Sequence, residues 1–261
     1  MHSKLNKDSS TSENNWPASV ICAHRGASDD FPENTLVAFE RAGDYGVGWI
    51  ETDLQLLSDG RLIIFHDASL GRTAPGSSVI AEMEWTQVKN LDVGGWKRSE
   101  FSDQRPLKCE DLIRWQEKRL NSPIIIWEMK YAAELAQAKL AAKALYKIIS
   151  ASPGHRCVVS SFDREFLRQF RILMPEIPTA LLAGMLPDDG IKFCKSNGIR
   201  GIHLTGERLS RAEAKNIIKE GLNLRCYTVN NVAEAKRLMA FGVEVIMTDR
   251  PGLFLSLKTT A

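Results

Sequence analysis

Short apolar runs alternate along this chain with longer stretches whose apolar residues recur at helical spacing. Reading the runs as strands and the amphipathic stretches as helices gives a regular beat. Strands are predicted at 20–23, 49–54, 124–128, 157–160, 179–182, 201–204, 224–228 and 244–248, with a further extended run at 62–66. Helices are predicted from Asn34 or Thr35, where Leu36, Phe39 and Ala42 turn inward, and at 109–120 and 132–150. Another follows Asp163 with Phe166, Leu167 and Phe170 inward, and one covers 188–196. The Ser210-Arg211-Ala212-Glu213 capping box opens the next, which stops at Gly221, and the last runs from Asn230 to about Ala240.

The extended runs number one more than a parallel eight-stranded barrel needs. The Asp59-Gly60 dipeptide resolves this, because it favours a tight hairpin turn. With Leu57 opposite Leu62, the 62–66 leg runs antiparallel to its predecessor, outside the barrel. The expected architecture is therefore α/β, a TIM (β/α)8 barrel with a hairpin and a small insertion after strand 2. The insertion is expected at about 67–107, an irregular stretch with Gly71, Pro75, Gly76, Gly94, Gly95 and Pro106. Residues 17–257 make up the expected barrel. Residues 1–16, polar and rich in Ser and Asn, are expected to form a disordered tail.

Charged groups stand at the ends of these apolar runs, where a barrel builds its site. Glu51 and Asp53 are two apart on one strand and share a face, and the hairpin brings His66 toward Asp53. Glu128 and Lys130 repeat the spacing on strand 3. His24-Arg25-Gly26 ends strand 1, and Thr248-Asp249 ends strand 8. Glu51, Asp53 and Glu128 cannot share a mouth unneutralised. A hard divalent cation resolves that: magnesium, with calcium or manganese as alternatives, rather than zinc. The competing reading is a set of salt bridges to Arg25 and Lys130. His24 and His66 have the pKa a general acid and base need; the other role open to them is zinc ligation. Arg25 and Lys130 leave a metal-loaded mouth with one surplus positive charge, which suits a phosphodiester. Phe162, His203 and Tyr227 follow or end strands and could shape the pocket wall, with ordinary packing as the alternative. Structural capping is the expected role of Asn34.

Composition narrows the function classes. A formal net charge of +2 gives no support for nucleic-acid binding. No stretch reaches the length of a membrane helix, and the N-terminus has no apolar segment of the kind a secretory signal requires. The five cysteines are widely spaced, which suits buried free thiols and a cytoplasmic location.

Several of these segments together resemble the glycerophosphodiester phosphodiesterase family. They are His24-Arg25-Gly26, Pro32-Glu33-Asn34-Thr35, Ile50-Glu51-Thr52-Asp53, Asp59-Gly60, His66-Asp67, Leu70 with Arg72-Thr73, Glu128-Met129-Lys130, Ser161-Phe162, Thr228-Val229-Asn230 and Thr248-Asp249-Arg250-Pro251. The ordered set runs from about residue 20 to 252. The resemblance implies a barrel phosphodiesterase of glycerol and lipid metabolism that acts on small-molecule glycerophosphodiesters and releases sn-glycerol 3-phosphate and an alcohol. By motif, Glu51, Asp53 and Glu128 would bind the metal, His24 and His66 would be acid and base, and Arg25 and Lys130 would hold the phosphate. The chain departs from the family at Tyr227, where Trp is common, and at Trp127, where a smaller residue is usual. Two rival functions are a lysophospholipase D-like enzyme and a catalytically silent barrel that binds glycerol phosphates.

Overall fold

The computed structural model describes residues 16–130 and 134–255. The expected tail therefore falls outside the described residues, apart from Trp16. Among the described residues ten strands form one sheet: β1 (Ile21–His24), β2 (Trp49–Leu56), β3 (Leu62–Ile64), β4 (Leu107–Lys108), β5 (Ile124–Met129), β6 (Cys157–Ser161), β7 (Thr179–Ala183), β8 (Gly201–Thr205), β9 (Asn223–Tyr227) and β10 (Val245–Thr248). β1, β2 and β5 to β10 pair in parallel, and β1 pairs with both β2 and β10, which closes an eight-stranded barrel. β3 and β4 extend the sheet outside it as antiparallel strands on β2.

The helices are α1 (Leu36–Tyr45), α2 (Trp85–Val88), α3 (Cys109–Glu117), α4 (Leu135–Ser150), α5 (Arg164–Leu173), α6 (Gly190–Ser196), α7 (Arg211–Lys219) and α8 (Val232–Met239). Their starts follow local chemistry. Asp163 accepts from the backbone N–H groups of Glu165 and Phe166, and Ser210 and Glu213 close the expected capping box. Asn231, not Asn230, caps α8. On α5 the inward face is Phe166, Leu167 and Phe170, all fully buried; each such side chain contributes about 1.5–3 kcal/mol. No helix among the described residues is long and apolar enough to cross a membrane.

Two apolar layers enclose the strands. The larger lies between strands and helices, and a smaller one inside the barrel holds Cys22, Ile126, Val158, Ala180, Val245 and Met247. Trp127, large for its position, is accommodated in the outer layer. It is fully buried and its Nε1 donates to His155 Nε2 at 2.8 Å. A third cluster, with Leu57, Ile63, Phe65, Leu70, Ile80 and Val88, packs residues of the 67–106 segment over the hairpin.

The hairpin register differs from expectation by one residue. Leu56 pairs with Leu62, Gln55 with Ile63 and Leu54 with Ile64. The cause is the turn. Only Gly60 takes a positive φ (81°), whereas the expected two-residue turn requires it at both central positions. A three-residue loop, Ser58-Asp59-Gly60, forms instead, closed by Leu57 N–H donating to the Arg61 carbonyl. The Asp59 carboxylate accepts from the Arg61 and Trp85 N–H groups, so it ties the loop to α2. Phe65 rather than His66 faces Asp53 across the ladder. The short strand β4, which anchors the far end of the inserted segment to β3, was not anticipated.

Candidate active site

Three carboxylates meet at the barrel mouth. Asp53 is next to Glu128 in register across β2 and β5, and Glu51 lies two residues earlier on the same face. Glu51, Asp53 and Glu128 are buried and each offers an oxygen within 4.8 Å of the others. Their charges are unequally compensated. Asp53 contacts Lys130 Nζ at 2.7 Å and Arg25 Nε at 3.0 Å and accepts from Asn34 Nδ2 at 2.8 Å. Burial alone would raise its pKa, but Arg25 and Lys130 outweigh this and hold it below the usual carboxylate range. Glu51 is raised to about 8 by burial and by the Asp53 charge. Its Oε1 is buried without a hydrogen-bond partner. A buried carboxylate oxygen that is neither paired nor hydrated is costly, and an oxygen-seeking divalent cation is the group this donor set fits. Lys130 also bonds Glu128, whose pKa is raised by burial and by Asp53.

The backbone beneath this cluster is strained in a way that serves it. Arg25 and Asn34 have positive φ, 57° and 59°, and Gly26 has 82°. A Cβ on Gly26 would lie 2.7 Å from the carbonyl carbon of Ala38, so only glycine lets β1 turn into the loop before α1. Thr35, not Asn34, is the α1 N-cap residue. Asn34 is fully employed elsewhere: it donates to Asp53 and accepts from Thr52 Oγ1. The expectation of a capping role for Asn34 is thereby corrected.

Two histidines flank the carboxylates, each held at Nδ1 by an aspartate. His24 Nδ1 is 2.7 Å from Asp249 Oδ1, and its Nε2 is 3.8 Å from Glu51 Oε2. Asp249 is fixed in turn by Asn230 Nδ2 at 2.7 Å and Ser28 Oγ at 3.0 Å. Burial works against a charged His24, but the Asp249 hydrogen bond and Glu51 prevail and raise its pKa. His66 Nδ1 is 2.7 Å from Asp67 Oδ1. Burial lowers the His66 pKa, and Arg25 and Lys130 oppose the rise that Asp53 would cause. Gln55 Nε2 donates to the carbonyls of His66 and Asp67, which pins this segment to β2 despite the shifted register.

Of the expected wall residues, two lie together. Phe162 is exposed and meets Tyr227 edge-on, ring centres 6.3 Å apart, while the Tyr227 hydroxyl donates to the Ala183 carbonyl. Burial and the nearby Glu128 charge raise the Tyr227 pKa. His203 is not brought to the mouth. It is fully buried inside the barrel, where Arg225 Nη1 lies 3.1 Å from its Nε2, and burial together with Arg225 drives its pKa well down. Sequence reasoning marked Asp249 as a charge at a strand end but missed its pairing with His24. The signal was present: barrel closure makes the first and last strands neighbours, with Ala23 opposite Thr248. Asp67 was missed as the partner of His66, and Arg72 as the partner of Asp67, although the His-Asp pair is contiguous in sequence.

A family model described as "Glycerophosphoryl diester phosphodiesterase family" matches residues 24–253. A glycerophosphodiester phosphodiesterase of Bacillus subtilis is 30% identical, covering 92% of this chain and 86% of its own length. One from Bacillus altitudinis is 31% identical over 88% of this chain and 94% of its own. An Oleispira antarctica phosphodiesterase, solved in complex with the product sn-glycerol 3-phosphate, superposes with a TM-score of 0.84 at 25% identity, over 89% of this chain and 93% of that one.

Proposed function

The chain belongs to the glycerophosphoryl diester phosphodiesterase family and is a phosphodiesterase; on that premise we propose that it hydrolyses glycerophosphodiesters to sn-glycerol 3-phosphate and a free alcohol, with a divalent cation held by Glu51, Asp53 and Glu128. The observation that carries the reading is two histidines, each held at Nδ1 by an aspartate, beside three buried carboxylates. The cation, magnesium by the all-oxygen donor set, would supply Lewis acidity at the phosphate and glycerol oxygens.

The protein's own groups do the rest. Arg25 and Lys130 bind the phosphate: each is tied to Asp53, which fixes its position while leaving the mouth's charge balance positive once a cation is bound. His24 and His66 act through Nε2, because Nδ1 is committed to the aspartate in both. One takes the proton of the glycerol 2-hydroxyl as it attacks the phosphorus, and the other protonates the departing alkoxide; water then opens the cyclic phosphate to sn-glycerol 3-phosphate with the two histidine roles exchanged. Phe162 and Tyr227 form an apolar wall for the glycerol carbons or the headgroup. The alcohol would leave toward solvent, so the headgroup is expected to contribute little binding. Five buried free cysteines support a cytoplasmic setting.

The test is release of choline from glycerophosphocholine with and without EDTA, followed by addition of Mg2+, Mn2+ or Ca2+. Full turnover in chelator would refute the metal assignment; no release under any condition would refute the substrate. A second reading, an acylated glycerol substrate, draws on one feature. A cleft of about 170 Å³ lies beside Lys130, walled by Leu56, Leu57, Ala81, Met129 and Leu140 together with Gln55, Ser58 and Gln137. A higher kcat/KM for lysophosphatidylcholine than for glycerophosphocholine would favour it.

A further inference from the structure

We propose that Arg72 is a positioning residue that sets two parts of the active site at once, the ring of His66 and the guanidinium of Arg25. The inference rests on the reading above, in which those two groups meet the substrate. Arg72 grips two carboxylates, each through two hydrogen bonds. Its Nε and Nη2 donate to Asp67 at 2.8 and 3.0 Å. Its Nη1 and Nη2 donate to Glu33 at 2.7 and 2.8 Å. Each carboxylate also holds one working group: Asp67 holds His66 Nδ1, and Glu33 accepts from Arg25 Nη1 at 2.8 Å. Arg25 continues the chain to Asp53. A continuous line of charge-assisted bonds thus runs from His66 to the carboxylate cluster, with Arg72 at its centre.

A stability role does not account for this arrangement. The Arg72 side chain is 46% exposed, and ion pairs that open to water contribute about 0–1 kcal/mol. The inserted segment has other ties to the loop after β1, since Lys97 Nζ donates to the Ser28 carbonyl and Arg98 Nη2 to that of Asp30. Removing Arg72 leaves those in place. What it removes is geometric: without the fork, Asp67 and Glu33 are free to rotate, and His66 and Arg25 follow them. Lysine cannot substitute, because one ammonium lacks the planar fork that engages both carboxylates in pairs.

The experiment uses the full chain with Mg2+ and glycerophosphocholine. Arg72→Ala should lower kcat about 10–100-fold, the usual effect of losing a group that orients a functional residue. KM should rise with it, because Arg25 is loosened too, while Tm moves by no more than about 4 °C. Guanidinium ion at millimolar concentration should restore part of the kcat, and methylammonium should not. Arg72→Lys keeps the charge and should remain at least about 10-fold impaired. In an Asp67→Asn background, adding Arg72→Ala should cost less than it does alone. Wild-type kcat and KM in Arg72→Ala, or full activity in Arg72→Lys, would overturn the proposal. If Arg72→Ala proves unstable, the Lys variant decides. A wild-type protein that cleaves no glycerophosphodiester would instead refute the function proposed above.

Discussion

Replacing Asp249 with Asn should move the pH dependence of the enzyme through His24. The substitution keeps the side chain's shape and removes its charge. In the native protein the carboxylate takes three donors, from His24, Ser28 and Asn230, and its own pKa is held at about 2; burial would raise it, and the bond to His24 prevails. An opposite charge in contact shifts a pKa by about 1–3 units, each worth about 1.4 kcal/mol. His24 is 12% exposed and Asp249 30% exposed, so the lower half of that range applies, about 1–2 units or about 1.4–2.8 kcal/mol. The apparent pKa of His24 should therefore fall by about 1–2 units. A cation held near Glu51, as proposed, would lower it in both proteins, so the difference between them would survive.

Two readouts follow. In kcat/KM measured from about pH 5 to 9, the limb governed by His24 should move to lower pH, with a neutral-pH loss of about 10–100-fold. The stability effect has a definite sign. The folded His24 pKa is raised, so the stability it contributes is present below 6.5 and is lost as pH rises through the folded value. Asp249→Asn should accordingly depress Tm more at about pH 6 than at about pH 9. An unmoved limb with kcat within about twofold of wild type would refute the reasoning.

Glu51→Gln should reduce Mg2+-dependent kcat/KM by more than about 100-fold, yet in chelator at about pH 8 it should melt higher than wild type. The Glu51 pKa is raised from 4.5 to about 8, so cation-free stability falls as pH climbs between those values, and the amide escapes that penalty; a lower Tm for the variant would contradict this. Trp127→Phe removes the indole donor to His155 Nε2 inside the outer core, which should cost about 1–3 kcal/mol in denaturant unfolding while leaving kcat intact; a large drop in kcat would tie this network to the site. A diester analogue lacking the glycerol 2-hydroxyl should bind but turn over poorly if that hydroxyl is the nucleophile, since well-placed internal groups reach effective molarities of ~10⁵ M or more. Hydrolysis of the deoxy analogue at the parent rate would point to attack by water.

What the sequence made legible, and what it did not, divides along a physical line. Side-chain parity on a strand is a local property, so Glu51 and Asp53 could be placed on one face from their spacing alone, and the structure puts them there. Height along the barrel axis is not local. It depends on strand tilt and shear, which emerge only when all eight strands close. His203 shows the consequence: its inward face follows from parity, but it ends up within the barrel against Arg225 instead of at the mouth. Turn conformation is intermediate. Asp59-Gly60 marked the hairpin, but the Asp59 carboxylate spends itself on Trp85 and Arg61 from elsewhere in the chain, and the register slips by one. The slip does not remove His66 from the site, because Gln55 and Asp67 hold it by bonds that no ladder position specifies. Least legible were the side chains that act on other side chains. Asp249 and Arg72 carry no periodic signature, and although Asp67 is only five residues from Arg72, Glu33 lies 39 residues from it and His24 lies 225 from Asp249. Their pairing becomes readable only after closure sets β10 beside β1 and the inserted segment folds over the hairpin. The cluster at the strand ends could be found from pattern, whereas the bonds that orient it belong to the assembled barrel.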